Sequence, residues 1–494
     1  MLVALIAALV VATPSDGLPV KTPRAVGMSA ARLEAIDRIV SRGIKAGGYP
    51  GAAVVVGRKG ASVLEKGFGR LDWSRESPLV SVDRSIYDLA SLSKVIGTTT
   101  AAMLLYDEGR LMLDAPVASY LPAFSGGLKD SVTVRQLLTH RSGLPAGRDL
   151  WRLAHNAQEA RLAVIDTPLE CAPGRCFIYS DLGYDVLGMV VETVAGQGLD
   201  QFLHERVFMP LGMTDTFYRP ADSLLARVAP TENTPPRGYP LRGEVHDENA
   251  YALGGIAGHA GLFSTAADLS VFAQMMLNGG EFDGVRIASD SAVALFTRRT
   301  AGTRALGWDT ADGDGGAGRY LTERAYGHTG YTGTSIWIDP DREMFVVLLT
   351  NRVHAARARR PAKVISDVRA DLSDAAALAV LDAPDGVLAM PASFRADRMS
   401  GWNRNERLAR SRRAGGRSSS ARSRAAAAAR LRAARRAGGK SSSKMKTRSA
   451  AAKSRPVKAS AAHRPAATKG QSTSAGASAR KSAAKTTTAK KSRG

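Results

Sequence analysis

Tyr87-Asp88-Leu89-Ala90-Ser91-Leu92-Ser93-Lys94 opens a segment, residues 91–109, that reads as a helix closed by Gly109, with Met103, Leu104 and Leu105 among its apolar positions. Three residues apart on a helix, Ser91 and Lys94 share one face. A serine hydroxyl is a weak nucleophile until a neighbouring base takes its proton. A partly buried lysine beside it can lose its charge and help to do so. If Ser91 opens the helix, the helix N-terminus also faces the reacting carbonyl. Alone, Ser-x-x-Lys is a weak signal with common chance matches, and an N-cap serine with a solvated lysine one turn on explains it better. The assignment therefore depends on what else the chain carries.

Two further segments add chemistry. Tyr179-Ser180-Asp181 follows the turn Cys171-Ala172-Pro173-Gly174-Arg175-Cys176. A phenol near a cationic lysine is favoured as phenolate and can pass protons, although a buried tyrosine with a satisfied hydroxyl gives the same pattern. His328-Thr329-Gly330-Tyr331 precedes a strand-like run. A histidine, a hydroxyl and a glycine at a strand edge can bind a carboxylate or carbonyl, with the Tyr331 amide aimed at an oxyanion. A strand-edge histidine with a glycine bulge is the plainer reading.

The rest of the chain sets these segments in an α+β order. Residues 29–46 have apolar positions at helical spacing (Leu33, Ile36, Ile39, Val40, Ile44) behind a candidate N-cap, Ser29. Residues 52–57 and 62–68 read as strands joined by a hairpin at Arg58-Lys59-Gly60. Residues 133–275 are mostly helices and long loops. Strand patterns return at 334–338 and 344–350 around the turn Asp339-Pro340-Asp341-Arg342, and a helix over 361–379 closes the body with Pro361 in its first turn. Strands at both ends predict one antiparallel sheet flanked by helices, with the middle forming a helical lobe.

Taken together and in this order, the segments resemble the penicillin-recognising serine hydrolases: class C β-lactamases, D-alanyl-D-alanine carboxypeptidases, and related esterases and D-aminopeptidases. The resemblance runs from about Pro23 to Val380. It includes Val134-Arg135-Gln136-Leu137-Leu138-Thr139-His140-Arg141-Ser142-Gly143-Leu144 and Gly258-His259-Ala260-Gly261-Leu262-Phe263-Ser264-Thr265. It implies a β-lactamase/transpeptidase-like fold, Ser91 as the acylated nucleophile, Lys94 as its proton partner, Tyr179 as general base, and the amides of Ser91 and Tyr331 as oxyanion hole. Asp181 stands where this family often has Asn, so it would hold Lys94 by an ion pair. His328 stands where the lactamases usually have Lys, which resembles some D-alanyl carboxypeptidases and D-peptidases. A neutral His328 would weaken recognition of a free carboxylate and favour neutral or amide-bearing acyl donors, with poor cephalosporin turnover. The expected activity is hydrolysis of an ester, a D-amino-acid peptide or a β-lactam through an acyl-enzyme, without cofactor, by a monomer acting on a small-molecule or peptide substrate. The alternatives are a non-catalytic binding module for cell-wall peptide and a polyanion- or nucleic-acid-binding protein working through its C-terminal tail.

Charge separates that tail from the body. Residues 401–494 carry 27 of the 68 basic residues against one acid, Glu406, a net of +26, and residues 1–400 sit at −3. The overall +23 thus describes a tail. Residues 411–494 are almost all Ala, Ser, Lys, Arg, Gly and Thr without an aromatic, a composition too poor in apolar surface to fold, and residues 381–410 read as a linker. The tail is a solvated extension, a polyanion binder whose affinity falls with salt, or the kind of Arg-Ala-Ser run that frame errors produce. Leu2 to Ala12 is too short to span a bilayer. Residues 1–22 read as a signal peptide despite having no basic residue ahead of the apolar run, which predicts export to the periplasm or medium; a cytoplasmic protein is the alternative. Two cysteines exclude a disulfide scaffold and thiolate-rich zinc sites. Cys171 and Cys176 read as a small disulfide loop or as two reduced thiols. His246, Asp247 and His259 match no common metal-ligand spacing, and no metal is expected.

Overall fold

A computed structural model describes residues 17–232, 237–312, 315–354 and 362–402. The signal-peptide segment up to residue 16, Pro361 and the tail over 411–494 lie outside the described residues.

Strands β1 (Gly51–Arg58) and β2 (Ala61–Gly69) form the expected hairpin. Its turn takes left-handed backbone at both Lys59 (φ 50°) and Gly60 (φ 76°), the geometry that matches the twist of paired strands. The short β3 (Asp309–Thr310), then β4 (Tyr326–Thr329), β5 (Ser335–Asp339) and β6 (Met344–Thr350) complete an antiparallel sheet in the order β2-β1-β6-β5-β4-β3. Sequence-distant β1 and β6 are therefore central neighbours, with Val54 opposite Leu348 and Val56 opposite Val346.

Helix α1 (Ala35–Lys45) follows a short turn capped by Ser29. Helix α2 (Thr100–Asp107) continues the nucleophile segment, α3 (Asp181–Ala195) starts one residue beyond Ser180, α4 (Ala266–Leu277) crosses the middle, and α5 (Lys363–Ala379) closes the body. Strands β1 and β6 are buried at every position because both faces are covered. Alternation sends Val54, Val56, Val346 and Leu348 to the side of α1 and α5, where Ile36, Ile39 and Val40 pack. The interleaved Ala53, Val55, Val347 and Leu349 face the helical lobe of α2, α3 and α4.

A second small sheet positions the chemistry. Tyr87–Asp88 pairs with Leu262–Ser264, which pairs with Phe217–Tyr218. The stretch Gly258–Thr265 thus contains the strand, Leu262–Ser264, that lies beside the nucleophile segment. Cys171 and Cys176 are bonded.

One boundary is corrected. Residues 381–402 do not behave as a linker: Leu381 N donates to Gly27 O, Phe394 and Ala396 are buried, and Trp402 is 1% exposed with Nε1 donating to Asp367. The apolar residues in that stretch, few but large, have a groove beside α5 to fill.

Candidate active site

The nucleophile turn is built by Asp88. Its buried carboxylate accepts from Ala90 N (2.8 Å) and from His246 N (2.7 Å). Ala90 is held left-handed (φ 48°), a conformation worth roughly 1–2 kcal/mol of strain for a residue with a Cβ. That kink presents Ser91 at the mouth of the helix, and Lys94 N donates to Ser91 O as the first turn forms. From Lys94 to Thr99 the helix is wound one residue wider than α, a local unwinding common at functional sites.

The i, i+3 spacing does bring Ser91 and Lys94 together. Lys94 is fully buried; its ammonium donates to Ser91 Oγ (3.0 Å) and His259 O (3.2 Å) and is ion-paired with Asp181 Oδ1 (2.7 Å). Burial opposes the charge, but the Asp181 carboxylate and the Tyr179 phenol outweigh it, so Lys94 is held above the usual lysine range. This environment favours the ammonium over the neutral amine that a partly buried lysine can become. Asp181 makes the expected ion pair because Ser180 caps α3, its Oγ accepting from Gly183 N (3.0 Å), which places Asp181 in the first helical turn.

Tyr179 stands one residue before that cap. Lys94 Nζ lies 4.9 Å from its ring centre, and the His328 ring is stacked at 6.1 Å. His140, quoted above only inside a signature, supports it: the ring lies 4.4 Å from that of Tyr179, and Nδ1 accepts from Ser180 N (3.0 Å). Burial, then Arg304 and Lys94, push His140 well down, so it is a neutral prop. Burial and the same two cations push His328 well down as well. Its Nδ1 is used on Thr329 O (3.0 Å), which leaves Nε2 as an acceptor.

Thr329 ends β4, and Gly330 and Tyr331 form the turn that follows. This turn clamps the nucleophile segment: Thr332 Oγ1 donates to Asp88 O and Thr334 Oγ1 to Leu89 O. A side chain at position 330 would meet Leu89 O at 2.4 Å, so only glycine allows the approach. Tyr331 is 62% exposed at the rim and stacks on His246 at 5.7 Å.

A cavity of about 350 Å³ opens over these groups, with Ser91, Tyr179, His328, Arg304, Arg352 and Arg369 in its walls. The three arginines carried no signal in the sequence, since each comes from a loop or helix far from the motifs. Arg304 is paired through Nε to Asp309 (2.9 Å), and its guanidinium lies 5.4 Å from the Tyr179 ring centre. Among the described residues its buried Nε and Nη1 have no hydrogen-bond partner, so the Asp309 contact is an ion pair. Arg369 donates to Gly330 O and Thr334 O, and burial, then Arg352, pull it down to about 9. A larger cavity of about 620 Å³, flanked by Trp151, Tyr251 and Arg219, shares no wall residue with this one.

Asp181, Asp247 and His259 bring ligand-type atoms within 4.8 Å of one another. Lys94 takes the place of a cation there, and both His259 nitrogens already contact carboxylates, Asp185 at 2.6 Å and Asp247 at 2.9 Å.

Residues 36–370 match the family model described as Beta-lactamase. The chain belongs to the beta-lactamase family. A relative from Escherichia coli strain K12, named "Putative D-alanyl-D-alanine carboxypeptidase", is 34% identical over 374 residues, covering 68% of this chain and 85% of its own. One of the same name from Salmonella agona is 34% identical over 376 residues, at 68% and 87% coverage. Among solved structures, a class C beta-lactamase superposes with a TM-score of 0.56 at 18% identity, covering 70% of this chain and 96% of that one. EstCE1, a hydrolase with promiscuous acyltransferase activity, gives 0.54 at 23% identity, with 70% and 99% coverage. The chain is thus a beta-lactamase-family serine hydrolase on the β-lactamase/transpeptidase-like fold that its motifs imply.

Proposed function

We propose that this family member forms an acyl-enzyme on Ser91 and that its preferred acyl donors are D-amino-acid peptides ending in a free carboxylate. The observation that carries the first part is the Lys94 ammonium, bound at once by Ser91 Oγ, Asp181 and His259 O. An ammonium that donates to Ser91 Oγ cannot also take the serine's proton. The Tyr179 oxygen, acting in its phenolate form, takes it as Ser91 Oγ attacks the carbonyl carbon, and the resulting phenol passes it to the departing amine as the C–N bond breaks. The amides of Ser91 and Tyr331 hold the oxyanion. Water then attacks the Ser91 ester along the same proton path in reverse. Short acyl esters and β-lactams use the same steps and serve as weaker donors.

The second part rests on Arg304. With His328 neutral, the fixed positive charges in the cavity wall are guanidinium groups, the shape best suited to a carboxylate; Arg369 donates to Gly330 O and Thr334 O and Arg352 to Tyr331 O, which leaves Arg304. This reverses the preference for neutral donors that His328 alone suggests. The name of the Escherichia coli and Salmonella relatives points the same way. The apolar run Leu2–Ala12 and the Cys171–Cys176 bond support action outside the cytoplasm, where disulfides persist. The test is incubation with a fluorescent penicillin, followed by digestion and mass spectrometry. The adduct is expected on Ser91; an adduct on Ser93 or Ser180 refutes the assignment.

A further inference from the structure

Beneath Lys94 lies a charged relay that the acyl-transfer steps do not use. Asp181 and Asp185 are four residues apart on α3 and so share one face. Asp181 takes Lys94, and Asp185, 1% exposed, takes His259 Nδ1 at 2.6 Å. The other ring nitrogen, Nε2, meets Asp247 Oδ1 at 2.9 Å, and that same Asp247 oxygen caps a helical turn by accepting from Asn249 N and Ala250 N. The backbone carbonyl of His259 accepts from the Lys94 ammonium (3.2 Å) beside Ser91 Oγ.

We infer that His259 is a positioning residue for Lys94: an imidazolium pinned at both nitrogens, whose carbonyl fixes the ammonium from below and whose charge keeps Asp185 and Asp247 from drawing it off Asp181. The inference rests on the acyl-enzyme reading of Ser91. Burial opposes a charge on His259, but Asp185 and then Asp247 outweigh it and hold the ring well above the ordinary histidine range. Without that charge, three carboxylates would face one buried ammonium, an imbalance that a low-dielectric site does not tolerate. The charged groups around the ring are Asp181 and Asp185 from α3, Asp247 from the loop ahead of residues 248–252, and Lys94 from the nucleophile helix. Asp88 and His246 lie next to Asp247, and Arg304 and His328 act on the far side, around His140. Tyr184, pushed up to about 12, and Tyr218, pushed higher by burial, are neutral.

A histidine that merely fills space would respond to substitution without regard to charge sign. The test is therefore kcat/KM for p-nitrophenyl acetate across pH in the full chain and in His259→Gln and Asp247→Asn. The acid limb belongs to the Lys94, Tyr179 and Asp181 network as a unit. Loss of a positive charge should move it up by about one pH unit, and loss of a negative charge should move it down by about as much. Below the limb, kcat of His259→Gln should fall about tenfold for a one-unit shift, while KM for this neutral ester changes less than about threefold. Limbs that stay in place while both variants lose a pH-independent factor, or limbs that move the same way, overturn the inference. Should His259→Gln fail to fold, Asp247→Asn alone decides by the sign of its shift, since asparagine keeps the helix cap. The Ser91 adduct is checked first in the parent. Its absence overturns the acyl-enzyme reading and this inference with it; its presence with unmoved limbs overturns this inference alone.

Discussion

Replacing Arg304 by alanine tests substrate choice directly. Arg304 is 12% exposed, its Nε is ion-paired with Asp309, and the residue lines the cavity that holds Ser91 and Tyr179. A charge-assisted hydrogen bond contributes about 1.5–3 kcal/mol. At about 1.4 kcal/mol per tenfold, this is roughly a 10- to 150-fold loss in kcat/KM for an N-acyl-D-alanyl-D-alanine. The C-terminal amide of the same peptide has the same scissile bond but no carboxylate, so its kcat/KM should change less than about threefold. One complication has a known sign. Removing Arg304 strips Asp309 of its partner, and an unpaired carboxylate in the wall repels the substrate's own. The double variant Arg304→Ala with Asp309→Asn removes that repulsion and leaves the loss of the anchor. The assay is release of D-alanine or D-alaninamide under first-order conditions. If the acid-to-amide ratio in the double variant stays within about threefold of the parent, Arg304 does not anchor the carboxylate and the argued preference for free-acid peptides is wrong.

Three other outcomes are expected. Lys94→Ala and Tyr179→Phe should each lower turnover by orders of magnitude, and the double variant should lose far less than the product of the two, because both act on one proton path; a multiplicative loss in single-turnover kinetics would separate them. Cutting after Asp397 removes the buried Trp402 and one of the two side-chain partners of Asp367, which keeps Lys363, at about 3–5 kcal/mol, whereas cutting after Trp402 should leave urea midpoint and turnover unchanged; equal midpoints for the two truncations would show that Trp402 adds nothing. Burial pushes Asp268 up to about 6, above a free carboxylate, so its contribution favours folding below about pH 4 and is lost as pH rises through about 6. Asp268→Asn should accordingly stabilise the protein at about pH 8, by at most about 3 kcal/mol, and do little at about pH 4, as read from urea unfolding at the two pH values.

Local order was open to sequence reasoning wherever the code is local. The alternating Val54 and Val56, the Lys59-Gly60 turn, and the spacing of Ile36, Ile39 and Val40 each follow from the period of a strand or helix or the backbone freedom of one residue. Ser91 and Lys94 are one helical turn apart, so their contact is built into their numbering, and Asp181 reaches Lys94 because Ser180 caps the helix that carries it. The stretch 381–402 is packed although its sparse apolar residues read as linker, because only the folded body supplies the groove that receives Trp402.

Sequence by itself determined the strands, the helices and the candidacy of Ser91, Lys94 and Tyr179 as a reacting set, because those depend on short-range periodicity and on residue types the proposed chemistry demands. Tertiary structure alone decided the electrical state of the site. Lys94 keeps its proton because Asp181, far along the chain, closes on it; His328 is neutral because Arg304 and burial deny it a charge; and His259 is an imidazolium because Asp185 and Asp247 reach both its nitrogens. Coulomb energies depend on distance through space and on the water excluded between charges, and neither can be read from separation along the chain.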